Sequence, residues 1–307
     1  MDFNLRQLQL FCSVVENKSI TKASIALDLT QPAISIQLKK LQENFETPLI
    51  ETRGKQIFIS DFGQVFYKQA REILQKVEDF KYELDSFNGV LSGKLKISTV
   101  STGKYIMPFY LKDFLNLNQK IDLKLDVSNR KQVISDLINY EIDFALVSVL
   151  PNDTEFEEEI LMKNPLYLIG PSSITKKNKT EEYQLIYREE GSGTRIVMQR
   201  HFDLINYSPK IKMELTSNEA VKQAVIAGLG YSMLSLVSVK NELKLNELEI
   251  IPDVQMRVRS QWRLIWLKDK KLSPIALAFI KFIQTNKLKI YEKNFSWIEE
   301  YENNSQF

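Results

Sequence analysis

Residues 188–195, Arg-Glu-Glu-Gly-Ser-Gly-Thr-Arg, gather the groups in this chain best suited to hold a small anion. Gly191 and Gly193 free the backbone to curl so that successive N–H groups converge, and Ser192 and Thr194 add hydroxyls. Arg195 is expected to add a two-pronged clamp on an oxyanion. Thr99, Ser101, Thr102, Ser128, Ser148 and Ser217 complete the candidate binding set. Each stands near the end of an expected strand, where a following helix aims unpaired N–H donors and the positive end of its dipole. A GSGTR run is also an ordinary capped strand-to-helix turn that needs no ligand. The hydroxyls ending the other strands are what favour a ligand.

Catalysis is not expected. His201 and Cys12 are the sole histidine and cysteine. His201 follows Arg200 on a helical stretch and reads as a surface or capping residue. Cys12 shares an apolar stripe with Leu8, Phe11 and Val15 and reads as a core thiol. One cysteine excludes an internal disulfide or a cysteine-based metal cage. No Ser-His-Asp set, metal-ligand spacing, Walker lysine or dinucleotide fingerprint is evident. The expectation is no enzyme, no metal and no cofactor, only a small-molecule effector.

The elements that must position the binding set follow a strand–helix alternation. Strands are expected at 94–100, 122–127, 142–149, 166–170, 184–187, 211–216, 231–236 and 262–267. Helices are expected at 103–118, 129–140, from 194, at 218–228, and from Pro274 to about Ile283. This predicts an α/β architecture with largely parallel sheets. The acidic run 153–159 reads as a solvated loop.

Ahead of this region, Phe66, Ala70, Ile73, Val77, Phe80, Leu84 and Phe87 recur at alternating steps of four and three. That is a heptad seam on a rod about 33 Å long. A seam of this kind wants a partner helix, so it predicts a dimer; packing onto the chain's own domain is the rival reading. Residues 87–93, with two glycines, read as a helix stop and hinge.

Residues 19–53 read as a helix-turn-helix leading into a wing. Two short helical patterns flank a break at Asp28, Leu29 and Thr30. Thr30 can cap the second helix, and Pro32 falls in its first turn, where a missing N–H costs nothing. Ile34, Leu38 and Leu41 must face inward. Gln31, Pro32, Ser35, Ile36 and Lys39 are left to face a DNA major groove, with Arg53 and Lys55 of the wing on phosphates. Charge helps little: residues 1–60 carry seven Lys/Arg and six Asp/Glu. A three-helix core can also serve as a protein-binding module, so the motif carries the DNA reading.

Composition agrees with a globular protein: 44% hydrophobic, 26% charged, net charge +2. No charged-then-apolar leader opens the chain and no apolar run approaches a membrane span, which predicts a cytoplasmic protein without membrane contact.

The N-terminal region resembles the LysR-type transcriptional regulators. Leu5, Leu8 and Phe11 match the first helix, Ser19, Ile20 and Thr21 the approach, and Ala23 and Leu27 the second helix. Residues 31–35 with Gln37, Leu38 and Leu41 match the recognition helix, Pro48, Leu49 and Arg53 the wing, and Ser60 and Gly63 the linker start. Ser24, Gln42 and Glu46 depart from the usual alanine, glutamate and glycine. Ile36 replaces a common basic residue, which shifts readout toward thymine methyls. Weaker matches continue in order: residues 93–98, Pro108 with Phe114, residues 141–146, Ala227-Gly228-Leu229-Gly230 and Ser273-Pro274.

The resemblance implies a winged helix-turn-helix over 1–60 and a linker helix over 61–91. It further implies a two-lobed effector domain of the periplasmic-binding-protein type 2 fold. Lobe I takes 92–163 and 268–285, lobe II 164–267, with crossings near 163/164 and 267/268. A tail, 286–307, has no counterpart. The partners it implies are double-stranded promoter DNA, a second copy through the linker helix, a tetramer of such dimers, and RNA polymerase. GSGTR at this position is similar to the branch controlling carbon-fixation or sulfur-assimilation genes, whose effectors are small anions or phosphorylated metabolites. The alternatives are a ligand-independent DNA binder, and a solute-binding or enzymatic domain fused to a helix-turn-helix.

Overall fold

The computed structural model describes residues 3–53, 56–86, 91–151, 155–172 and 183–303. The chain divides into two compact units, 1–90 with 139–141, and 91–138 with 142–307.

The first unit is helical with a small wing. α1 (Leu5–Asn17) begins at a capping box in which the Asn4 side chain accepts from the Gln7 N–H and Gln7 returns the bond. α2 (Ile20–Ala26) is capped by Ser19 and α3 (Gln31–Gln42) by Thr30, with Pro32 in its first turn. Asp28 takes a positive φ of 53° in the turn between them. Phe11, Ala23, Ile34, Leu41 and Leu49 close the core. The wing is an antiparallel pair, β1 (Ile50–Arg53) and β2 (Gln56–Ile59). Gln42 ties it to α3: its amide N–H donates to the Phe45 and Thr47 carbonyls while its oxygen accepts from the Leu49 N–H at 2.7 Å. A glutamate could not donate those two bonds. α4 (Asp61–Ser86) then follows within the same unit as one long helix.

In the second unit, β3 (Gly93–Val100) pairs in parallel with β4 (Ile121–Ser128) and β5 (Phe144–Val147). Between them lie α5 (Met107–Leu117) and α6 (Arg130–Ile138). The helix expected over 103–118 begins as a single 3-10 turn, and Pro108 sets the start of α5. β6 (Phe156–Pro171) is much longer than the expected 166–170. The acidic stretch expected to be a loop is part of it from Phe156 onward; residues 152–154 lie outside the described residues. Glu158 and Glu159 are not solvated singly but face Arg263 and Lys287.

β7 (Gln184–Arg188), α7 (Gly193–Leu204), β8 (Lys210–Leu215), α8 (Asn218–Ile226), β9 (Ser232–Ser235), α9 (Lys240–Lys244) and β10 (Leu248–Ile250) follow, and β11 (Arg257–Leu267) returns. One seven-stranded sheet runs β10-β6-β11-β5-β3-β4 with β9 on β6, and β7 pairs in parallel with β8. The sheets are mixed rather than largely parallel, because β6 and β11 form a long antiparallel ladder. β11 changes partners at a bulge between Trp262 and Arg263, and only the residues beyond it also pair with β5.

α10 (Pro274–Phe295) is capped by Ser273 and runs twelve residues past the expected end near Ile283, since no glycine or proline interrupts it. α11 (Trp297–Asn303) docks the tail: Arg257 donates to the carbonyls of Tyr301 and Glu302, and Lys240 lies over the Trp297 ring. Among the described residues no helix is long and apolar enough to cross a membrane.

Candidate functional site

The outer face of α3 presents Gln31, Pro32, Ser35, Ile36 and Lys39 to solvent, Ile36 at 56% exposure, while Ile34, Leu38 and Leu41 are buried beneath. Thr30 is used as the cap, its hydroxyl accepting from the Ala33 N–H. Arg53 ends β1, but its side chain and all of Lys55 lie outside the described residues.

The seam on α4 divides. Phe66 and Ala70 pack into the unit's own core, Phe66 edge-on to Phe11. Their expected place at a dimer contact is therefore taken by intrachain packing. Val77 is half-buried, Ile73 is exposed, and Phe80 and Leu84 stand 60% and 53% exposed; Phe87 lies outside the described residues.

In the second unit the strand ends meet. Ser101, Thr102, Ser128, Ser148, Ser192, Gly193 and Thr194 line one cavity with about 10 Å³ free, room for about one water. Gly193 lies so close to Ser148 that an added Cβ would sit 3.0 Å from its hydroxyl. Gly191, at φ 81°, makes the turn that brings α7 here but does not line the cavity. Ser192 makes no side-chain cap to α7, so the first-turn N–H groups keep no side-chain partner.

Three expected residues serve elsewhere. Thr99 is fully buried and bonded to the Val100 and Leu146 carbonyls. Ser217 caps α8, accepting from the Ala220 N–H. Arg195 faces away: it pairs with Glu214, donates to the Arg188 carbonyl and lies over the Tyr187 ring. The guanidinium that lines the cavity belongs to Arg188, 6% exposed, which donates to Ser101 at 3.1 Å and is held two-pronged by Glu189 at 2.7 Å. Arg130 also lines it, bonded to the Val149 and Leu150 carbonyls. Burial first, and repulsion from Arg200 second, hold its pKa below the usual arginine value. Both arginines end or follow a strand, and that position is the signal that could have ranked them above Arg195. His201, set aside at the sequence level, bonds the Gln255 carbonyl through Nε2 at 2.6 Å. Among the described residues no cluster of His, Cys, Asp and Glu is placed to hold a metal.

Two family models account for these two regions. Residues 5–64 match the bacterial regulatory helix-turn-helix protein, lysR family, and residues 88–287 match the LysR substrate binding domain. The chain belongs to the LysR family. This LysR-type chain is 35% identical over 299 residues to the RuBisCO operon transcriptional regulator of Allochromatium vinosum, covering 95% of this chain and 99% of that one. Its second unit is similar to the regulatory domain of Synechocystis PCC6803 CcmR solved in complex with 2-PG, at 29% identity and TM-score 0.59, covering 64% of this chain and 98% of that one. The full-length fold is shared with a variant of OxyR from Pseudomonas aeruginosa, at 17% identity and TM-score 0.71 over 95% of each chain. The protein is a DNA-binding transcriptional regulator with an effector-binding domain, and its curated relatives are regulators rather than enzymes.

Proposed function

We propose that a small anion carrying a carboxylate or phosphate, of the 2-phosphoglycolate class, binds between Ser101, Thr102, Ser128 and Ser148 on one side and Arg188 with the α7 N-terminus on the other, the two sides parting to widen a cavity that has about 10 Å³ free without ligand. One observation carries this: a buried guanidinium bonded across the cavity to Ser101, beside a helix N-terminus without a side-chain cap. The 2-PG complex of the CcmR regulatory domain supports the choice of class. Residues 92–163 with 268–285 form one lobe and 164–267 the other, and the two pivot on β6 and β11.

In this reading Gln31, Pro32, Ser35, Ile36 and Lys39 read promoter DNA, while Arg53 and Lys55 hold its phosphates. The exposed half of the α4 seam, Ile73, Phe80 and Leu84, pairs two chains. Dimers associate into a tetramer in the cytoplasm, and the tetramer meets RNA polymerase at the promoter. Ligand shifts the population of effector-domain arrangements and thereby the bend of bound DNA. Calorimetric titration of the full chain with 2-phosphoglycolate, phosphoglycerate and sulfate tests the ligand. Saturable heat with at least one is expected, and its absence at millimolar concentration from all three defeats the assignment.

A further inference from the structure

The second unit carries a second and far larger cavity. It is an open groove of about 930 Å³, floored by β6 and β11 and walled by the later turns of α7 and by α11. That is within the ~300–1,000 Å³ of ordinary ligand sites, whereas the first cavity holds about 10 Å³.

The charges in the groove are unbalanced. Lys163 meets Glu302 at 3.2 Å and Arg263 meets Glu158. Arg200 and Arg259 line the same groove and have no acidic or hydrogen-bonding partner among the described residues. Two exposed guanidiniums on one cavity, without acidic partners among the described residues, can each take an oxyanion two-pronged. The apolar side chains of Val197 and Val258 in the same wall suit an organic body.

We propose that this groove is a second anion site, bordering the 2-phosphoglycolate cavity at Ser148 but holding its ligand on other residues, for a multiply charged phosphate-bearing metabolite that binds Arg200 and Arg259. Glu302 is already in the groove as the partner of Lys163, so an incoming anion competes with it. Occupancy thereby acts on α11, the helix whose last carbonyls Arg257 holds.

Inorganic diphosphate is the minimal probe, titrated calorimetrically into the full chain with and without saturating 2-phosphoglycolate. One diphosphate per chain is expected, undisplaced by 2-phosphoglycolate. The exposed pair Arg200→Gln/Arg259→Gln should weaken it at least about tenfold, with an unchanged thermal midpoint. Glu302→Gln, which frees Lys163, should tighten it. Arg259→Gln alone should leave 2-phosphoglycolate affinity as it was. Diphosphate binding with no heat from 2-phosphoglycolate, phosphoglycerate or sulfate would sustain this site while defeating the first. Absence of heat at millimolar diphosphate, equal affinity in the double variant, or displacement by 2-phosphoglycolate overturns it. So does a loss of operator affinity in Arg259→Gln with diphosphate binding unchanged, which would give the groove to DNA.

Discussion

The outer face of α3 and the cavity around Arg188 solve opposite problems. On α3, Gln31, Ser35 and Lys39 point outward and make no side-chain hydrogen bond among the described residues. Around Arg188, each guanidinium nitrogen already carries a bond, Nε and Nη2 to Glu189 and Nη1 to Ser101. A surface that docks on a long polymer can leave its donors in water until contact. A cavity for a small molecule must be buried, and buried polar groups need partners at all times.

The contrast breaks most violently at α4, where apolar groups stand in water. Replacing Phe80 and Leu84 together by Asp is expected to give monomers by light scattering and to abolish cooperative operator binding. A double variant that stays dimeric at micromolar concentration would show that the exposed half of the seam does not pair chains. Next in size is Arg188→Gln. Hydrogen bonds to charged groups contribute about 1.5–3 kcal/mol, so 2-phosphoglycolate affinity should fall by roughly 10- to 150-fold. Arg195→Ala removes the Glu214 pair, the bond to the Arg188 carbonyl and the contact with the Tyr187 ring, none of which faces the cavity, and should leave that affinity within about twofold. The reverse ranking would restore Arg195 as the clamp.

On the open face, Ser35→Arg or Gln31→Ala should cost about 1–3 kcal/mol for each base edge no longer read, measured by footprinting on a fixed operator. Thr102→Val keeps the shape of a buried side chain and removes its hydroxyl. It should weaken the effector by about 1 kcal/mol, with the melting temperature of the ligand-free chain retained. Smallest of all is Cys12, whose thiol burial pushes up from 9.0 to about 12. The folded chain holds that proton where the unfolded chain releases it. The associated stability is intact below pH 9.0 and is lost as pH rises toward about 12. Iodoacetamide at about pH 8 should therefore label Cys12 only after unfolding, and rapid labelling of the native chain would mean an open core.

The reading helix was legible because its signals are local. A cap at Thr30, a proline in the first turn and three apolar residues at helical spacing fix which side faces out. The cavity was legible in its strand ends but not in its choice of arginine. Arg188 and Arg195 both flank GSG, and sequence spacing does not say which one points inward. That is decided by the turn at Gly191 and by Glu214 on the neighbouring strand, which draws Arg195 aside. The long β6 was missed because its first half is acidic, and its glutamates face Arg263 and Lys287 from distant segments. The seam on α4 was legible as a period, whereas its division between own core and solvent depends on how Phe66 meets Phe11.

Glu189 gives the regulator a set point. Its carboxylate already grips both prongs of Arg188, so a metabolite that wants that guanidinium gains only the difference between two similar ion pairs. Exchange of this kind makes for modest affinity and fast release. On the proposed assignment, the protein would work as a gauge of an abundant pool, filling and emptying as the pool rises and falls, rather than as a trap for a scarce molecule.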